Sequence, residues 1–130
     1  MSKLILASGS PRRKELLEKA GLEFQIFVPD VDETPLKREI PKKMVARLSR
    51  LKAAAALEQI RASSGGSTTD DLWVIAADTT VVSNAGKNLG KPVDTAEAMK
   101  MLKALQGKVH RVFTGFSISH GKKIHTRVTE

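Results

Sequence analysis

The run Leu72-Trp73-Val74-Ile75-Ala76-Ala77 is the most apolar segment of the chain, and after one carboxylate, Asp78, it continues as Thr79-Thr80-Val81-Val82. Such a run bounded by loops predicts a central strand buried on both faces, which requires helices over the sheet. Asp78 interrupts it. Buried carboxylates are paired, hydrogen-bonded or bound to metal, and the ends of core strands are where α/β enzymes place chemistry. The plainer reading is an aspartate that caps a bend and bonds to nearby backbone. The desolvation cost of an idle carboxylate favours the functional one.

A second stretch has the same strand-to-chemistry character. Leu4 to Ala7 suit a short buried strand, Ser8-Gly9-Ser10 a tight turn, and Pro11 the first position of a helix for which Ser10 is the N-cap. Strand, turn and helix in quick succession aim backbone N–H groups at the positive end of a helix dipole. Arg12 and Arg13 stand beside them. That arrangement suits a phosphate, although an arginine pair in a first helical turn is also ordinary solvated surface.

The first helix is expected from Pro11 to about Ala20, with Leu16, Leu17 and Ala20 against the sheet and Gly21 in the left-handed position after it. A second strand is expected at Phe24 to Val28. Pro29 and Pro35 then bracket an acidic loop, Asp30-Val31-Asp32-Glu33-Thr34. Its carboxylates, Asp32 or Glu33 above all, are candidates for a divalent cation, against the commoner reading of solvated surface.

A long helix is expected from Pro41 to about Ala62. With Met44 at zero and about 100° per residue, Leu51, Ala55, Leu48 and Val45 define an apolar arc from about −20° to 100°, and Lys52 falls inside it at about 80°. Lys43, Arg47, Arg50 and Arg61 gather on the far side. A lysine within an apolar arc either snorkels to the edge, the commoner outcome, or meets a buried anion. The Ser/Gly-rich stretch from Ala62 to Asp71 is a surface loop. Lys91 is set on an extended segment by the proline after it. A third helix is expected from about Ala96 to Gln106, opened by Asp94 or Thr95 with Glu97 in reach, closed by Gly107, and buried along Ala98, Met99, Leu102 and Leu105. Val109 to Ser119 and Lys123 to Thr129 make a hairpin around His120-Gly121-Lys122. None of His110, His120 and His125 has metal-ligand spacing.

At 130 residues the chain fits one domain. The net charge of +8 points to an anionic partner, nucleic acid or a phosphorylated metabolite. With one Trp, four Phe and no Tyr there are few stacking platforms, and the basic residues are dispersed, so a small phosphorylated ligand is favoured over nucleic acid. Zero cysteines leaves only oxygen and imidazole donors for a metal, which favours Mg²⁺ or Mn²⁺. No apolar run spans a membrane and no secretory segment opens the chain, so a cytoplasmic protein is expected.

Taken in order, Ser8, Ser10-Pro11-Arg12-Arg13, Glu33, Lys52, Ala77-Asp78-Thr79, Gly90-Lys91-Pro92, Leu105-Gln106-Gly107, His110 and Thr114-Gly115 resemble the motifs of the Maf family of nucleotide pyrophosphatases over essentially the whole chain. The resemblance implies an elongated mixed β-sheet flanked by helices with a central cleft, similar to inosine triphosphate pyrophosphatases. It implies metal-dependent hydrolysis of nucleoside triphosphates to the monophosphate and pyrophosphate. By the same resemblance, Ser8, Arg12 and Arg13 hold the triphosphate, Lys52 and Lys91 neutralise its charge, and Glu33 and Asp78 face the metal and water. Thr79 after Asp78 is similar to the dTTP/UTP branch. Ala76 stands where family members commonly carry Gly. Family members also continue well past Glu130. On that comparison the chain is short at its C-terminus, which allows a second expectation, a catalytically impaired nucleotide-binding or regulatory protein linked to septum formation. An unpaired strand edge would then favour a homodimer.

Overall fold

The run from Leu72 to Val82 does form the longest strand, and the rest of the fold is arranged on it. A computed structural model describes residues 3–63, 71–83, 88–89, 94–107, 110–121 and 123–130. In chain order the elements are β1 (Lys3–Leu6), α1 (Pro11–Lys19), β2 (Gln25–Ile26), α2 (Pro41–Ser63), β3 (Leu72–Val82), β4 (Asn88–Leu89), α3 (Thr95–Leu105), β5 (Arg111–His120) and β6 (Lys123–Thr129). The sheet order is β2-β1-β3-β5-β6, with β4 also on β3. β1 runs parallel to β2 and β3, and the other pairings are antiparallel. The sheet is therefore mixed, as expected, and the fold is α/β. Lys91 lies outside the described residues, as do the stretches 64–70, 84–87 and 90–93.

Register sets where the chemistry falls. β1 pairs with β3 only as far as Leu6 opposite Ile75, while β3 runs on to Val82. Ala77, Asp78 and Thr79 thus emerge past the carboxyl end of β1, in the crevice where open α/β sheets bind ligands.

The strand β3 is not buried on both faces. Leu72, Val74, Ala76, Thr80 and Val82 are buried, while Trp73 and Thr79 on the alternate face are exposed. α2 lies across β3, β5 and β6 and covers one side, and among the described residues the core clusters contain none of α1 or α3. Helix α1 has no buried residue. Leu16 is 58% exposed and Ala20 is exposed, because two leucines among six charged residues cannot make an apolar stripe. Met99 and Leu102 of α3 likewise stay exposed, contrary to the expected stripe. The strand expected at Phe24 to Val28 shrinks to two edge residues. On the open face, His120 stacks on Trp73 with ring centroids 4.0 Å apart. At the β6 edge the exposed residues Lys123, His125 and Arg127 guard against strand addition.

Capping follows the sequence. The Ser10 side chain accepts from the Arg13 N–H with Pro11 at the first position, and Asp94 accepts from the Glu97 N–H. Gly21 and Gly121 take positive φ where the chain leaves α1 and turns the hairpin.

Helix α2 is set very close to the sheet. Its buried face is Met44, Val45, Leu48, Ser49, Ala53 and Ala56, half of them serine or alanine. A Cβ on Gly115 would lie 2.2 Å from the Val45 carbonyl oxygen, so only glycine fits opposite this turn of α2. Where helix and sheet meet, the buried hydroxyls of Ser49 and Ser117 bond at 2.8 Å, and Ser117 bonds Thr126 at 2.8 Å.

Candidate active site

The turn after β1 places Ser8 and Arg13 together. Ser8 is buried, and its Oγ accepts from the Ser10 N–H at 3.2 Å and from the Arg13 guanidinium at 3.1 Å. The same guanidinium donates to the Ala77 carbonyl at 3.3 Å and the Thr79 hydroxyl at 2.9 Å. Thr79 in turn bonds Thr114 of β5 at 3.0 Å. Arg13 is therefore fixed by contacts on the turn after β1, on β3 and, through Thr79, on β5. Partial burial holds its pKa below the ordinary arginine value, with the Asp78 carboxylate pulling it back up; a guanidinium stays charged regardless. Arg12 is exposed and does not line the cavity described below.

Lys52 does not snorkel. Its ammonium lies 2.7 Å from Glu33 Oε1 and 3.0 Å from Asp78 Oδ1, and donates to the Ala77 carbonyl at 3.4 Å. The side chains of Lys52 and Asp78 are 15% and 14% exposed, and that of Glu33 is 52%. The apolar arc misplaced the buried face. Leu51 is exposed, whereas Ser49, Ala53 and Ala56, at about 140°, 180° and 120°, are buried, so Lys52 at about 80° sits nearer the middle of the true face. An ammonium held there needs anions, and Asp78 on the α2-facing side of β3 supplies one.

Glu33 arrives on the acidic loop between β2 and α2. Asp32 shapes that loop, accepting from the Thr34 N–H at 2.9 Å, and hydrogen bonds with the Thr34 side chain and then its backbone lower its pKa. Of the two carboxylates proposed for the loop, Glu33 is the one that reaches Lys52. Arg47 donates to both carboxylate oxygens of Glu39, at 2.6 and 2.9 Å, and to the Thr34 carbonyl at 3.3 Å. The helical wheel put Arg47 on the solvated side of α2, and nothing in the pattern marked Glu39 as its partner. In the sequence Thr114 stands out only as part of a Thr-Gly pair.

Ser8, Arg13, Glu33, Lys52, Asp78 and Thr79 line a cavity of about 660 Å³, together with the start of α1. The Arg13 guanidinium and the Lys52 ammonium both donate to the Ala77 carbonyl, at 3.3 and 3.4 Å; Val28, Pro29 and Val31 add an apolar margin. Among the described residues no group of three or more His, Cys, Asp or Glu converges as a metal cage. Two carboxylates, Glu33 and Asp78, do approach one point, marked by the Lys52 ammonium. That donor set fits Mg²⁺ or Mn²⁺, since such ions use one or two carboxylates and complete their shell with water and substrate phosphate. Cationic groups for a polyphosphate and carboxylates for a cation or a water thus share one crevice.

Comparison with known proteins agrees with the geometry. The chain is 43% identical over 117 residues to a dTTP/UTP pyrophosphatase of Geobacter metallireducens, covering 90% of this chain and 56% of that protein. It is 47% identical over 117 residues to one of Geotalea uraniireducens, covering 90% and 55%, and 46% identical over 118 residues to one of Bacillus thuringiensis, covering 91% and 56%. The chain thus spans little more than half the length of the curated relatives it matches. Its fold is similar to that of the Staphylococcus aureus Ham1 protein, with a TM-score of 0.61 at 17% identity, covering 98% of this chain and 67% of that one. The family model described as Maf-like protein matches residues 3–130, and the chain belongs to that family.

Proposed function

We propose that this crevice binds a nucleoside triphosphate, of the dTTP or UTP type that the named relatives act on, and hydrolyses it between the α and β phosphates to the nucleoside monophosphate and pyrophosphate. The observation that carries the reading is the Lys52 ammonium held between Glu33 and Asp78, beside the oriented Arg13 guanidinium, with which it shares the Ala77 carbonyl.

Arg13 and the Ser8 turn bind the polyphosphate; a guanidinium with its fork fixed in advance loses little freedom on binding. Lys52 neutralises charge as it accumulates on the departing pyrophosphate. Asp78 orients a water and takes its proton as the water oxygen bonds to the α phosphorus and the bond to the bridging oxygen breaks. Mg²⁺ or Mn²⁺ held by Glu33 and Asp78 would supply Lewis-acid stabilisation of phosphate oxygens. Lys91, which family resemblance adds to the cationic set, belongs to the same proposal.

The reading is tested with a panel of nucleoside triphosphates, with and without Mg²⁺ or Mn²⁺. Release of pyrophosphate and monophosphate from dTTP and UTP supports it. Saturable nucleotide binding with no turnover would instead make the chain a nucleotide-binding or regulatory protein.

A further inference from the structure

The loop that carries Glu33 has no strand or helix of its own from Phe27 to Thr34, yet it delivers its carboxylate to within 2.7 Å of Lys52. A side chain of α2 two turns beyond Lys52 meets this loop. Gln59 Oε1 accepts from the Asp30 N–H at 3.2 Å, and Gln59 Nε2 donates to the Asp30 carbonyl at 3.0 Å. The side-chain amide therefore reads the Asp30 peptide as a neighbouring strand would, taking its donor and its acceptor together.

The spacing matches on both sides. Lys52 and Gln59 are seven residues apart on α2, which at about 1.5 Å per residue is about 10.5 Å. Asp30 and Glu33 are three residues apart, and three extended residues span about 10–11 Å. Gln59 and Lys52 also share a side of the helix, at about 60° and 80° on the same wheel. With Asp30 pinned at Gln59, an extended chain running back along α2 brings Glu33 to Lys52. Arg47 then holds the Thr34 carbonyl at 3.3 Å. We infer that Gln59 is a positioning residue for the active site: it fixes the register of the acidic loop on α2 and so holds Glu33 on Lys52 and beside Asp78.

The inference rests on the proposed hydrolase for its kinetic consequence, but not for its structural one. Gln59→Met keeps the length and volume of the side chain and removes both hydrogen bonds. In the nucleotide-free protein, amide hydrogen exchange of Gln59→Met is expected to speed up at Asp30 and at Glu33 and Thr34 together, with α2 and β3 unchanged. In turnover, kcat is expected to fall about tenfold with KM kept within about twofold, because a small misplacement at a reacting centre costs rate while Arg13 still holds the phosphates. Gln59→Met added to Glu33→Gln should cost nothing further, since the two act through one group. Gln59→Asn, too short to reach, should behave as Gln59→Met.

Faster exchange confined to Asp30, or losses from Gln59→Met and Glu33→Gln that multiply in the double variant, would overturn the inference. If the unaltered protein hydrolyses no nucleotide, the hydrolase reading falls, and the exchange pattern at residues 30–34 decides the register on its own.

Discussion

Replacing Gly115 by alanine tests how the site is assembled, because the added methyl meets backbone. The new Cβ would lie 2.2 Å from the Val45 carbonyl oxygen, 2.4 Å from its carbonyl carbon and 2.8 Å from the Ala46 nitrogen. To reach even 3.0 Å, α2 and β5 must part by about 0.8 Å, and no rotamer can absorb that. Gly115 has no positive φ to defend, so the cost is steric alone. Overpacking against a fixed neighbour costs about 1–3 kcal/mol, and a backbone obstacle argues for the upper half of that range. The displacement reaches the chemistry, since Gly115 pairs across the ladder with Asp78 and Val45 lies two turns before Lys52 on α2. A separation of that size strips Lys52 of its 3.0 Å and 3.4 Å contacts to Asp78 and the Ala77 carbonyl, and activity should fall about tenfold to a hundredfold. Urea unfolding and pyrophosphate release are the assays. Gly121→Ala is the control: its φ is +61° with open space around it, so it should cost about 1 kcal/mol of backbone strain and leave turnover unchanged. Stability of Gly115→Ala within about 0.5 kcal/mol of the parent, or full activity, would refute the close-approach argument.

Further outcomes follow from the same contacts. Lys52→Met leaves Glu33 and Asp78 facing one another without their cation; unfolding free energy by urea should drop by about 2–3 kcal/mol, less than for a fully buried pair, and adding Asp78→Asn should restore more than half of the loss. Arg13→Lys cannot reproduce a fork that meets Ser8, the Ala77 carbonyl and Thr79 at once, so KM for nucleotide should rise about tenfold with the fold intact by circular dichroism. Glu39 is held below the usual carboxylate range by its hydrogen bonds with Arg47. Its contribution to stability is therefore complete above about pH 4.3 and is lost as pH falls through its lowered native value. The stability gap between the parent and Glu39→Gln should close on acidification, and a gap constant from about pH 7 to pH 3 would contradict the pairing.

Much of this architecture is legible in the residues, for reasons that differ by element. Pro11 and Ser10, or Asp94 and Glu97, act within one helical turn, so their caps can be read locally. The strand at Leu72 to Val82 is legible from its β-branched, apolar composition, but its burial is not, because the cover over each face depends on where distant helices lie. For the same reason the exposed Leu16, Met99 and Leu102 read as core in the sequence. The rotation of α2 is set by small residues, Ser49, Ala53 and Ala56, that a hydrophobicity wheel underweights, although they are what lets the helix approach Gly115. Asp78 and Lys52 stand out as charges in apolar settings. Gln59, Arg47 and Thr114 do not, because polar residues at ordinary positions gain their roles only when the loop and the neighbouring strand are placed against them.

In the proposed reaction Asp78, set past the end of β1 and tied to Lys52, activates water for attack on the α phosphorus. Product analysis of dTTP and UTP turnover in the presence of Mg²⁺ or Mn²⁺ tests it most directly, comparing the parent with Asp78→Asn. Equal amounts of monophosphate and pyrophosphate are expected from the parent, with about a hundredfold or greater loss of kcat in Asp78→Asn and nucleotide still bound. Release of orthophosphate in place of pyrophosphate, or turnover unaffected by Asp78→Asn, would contradict it.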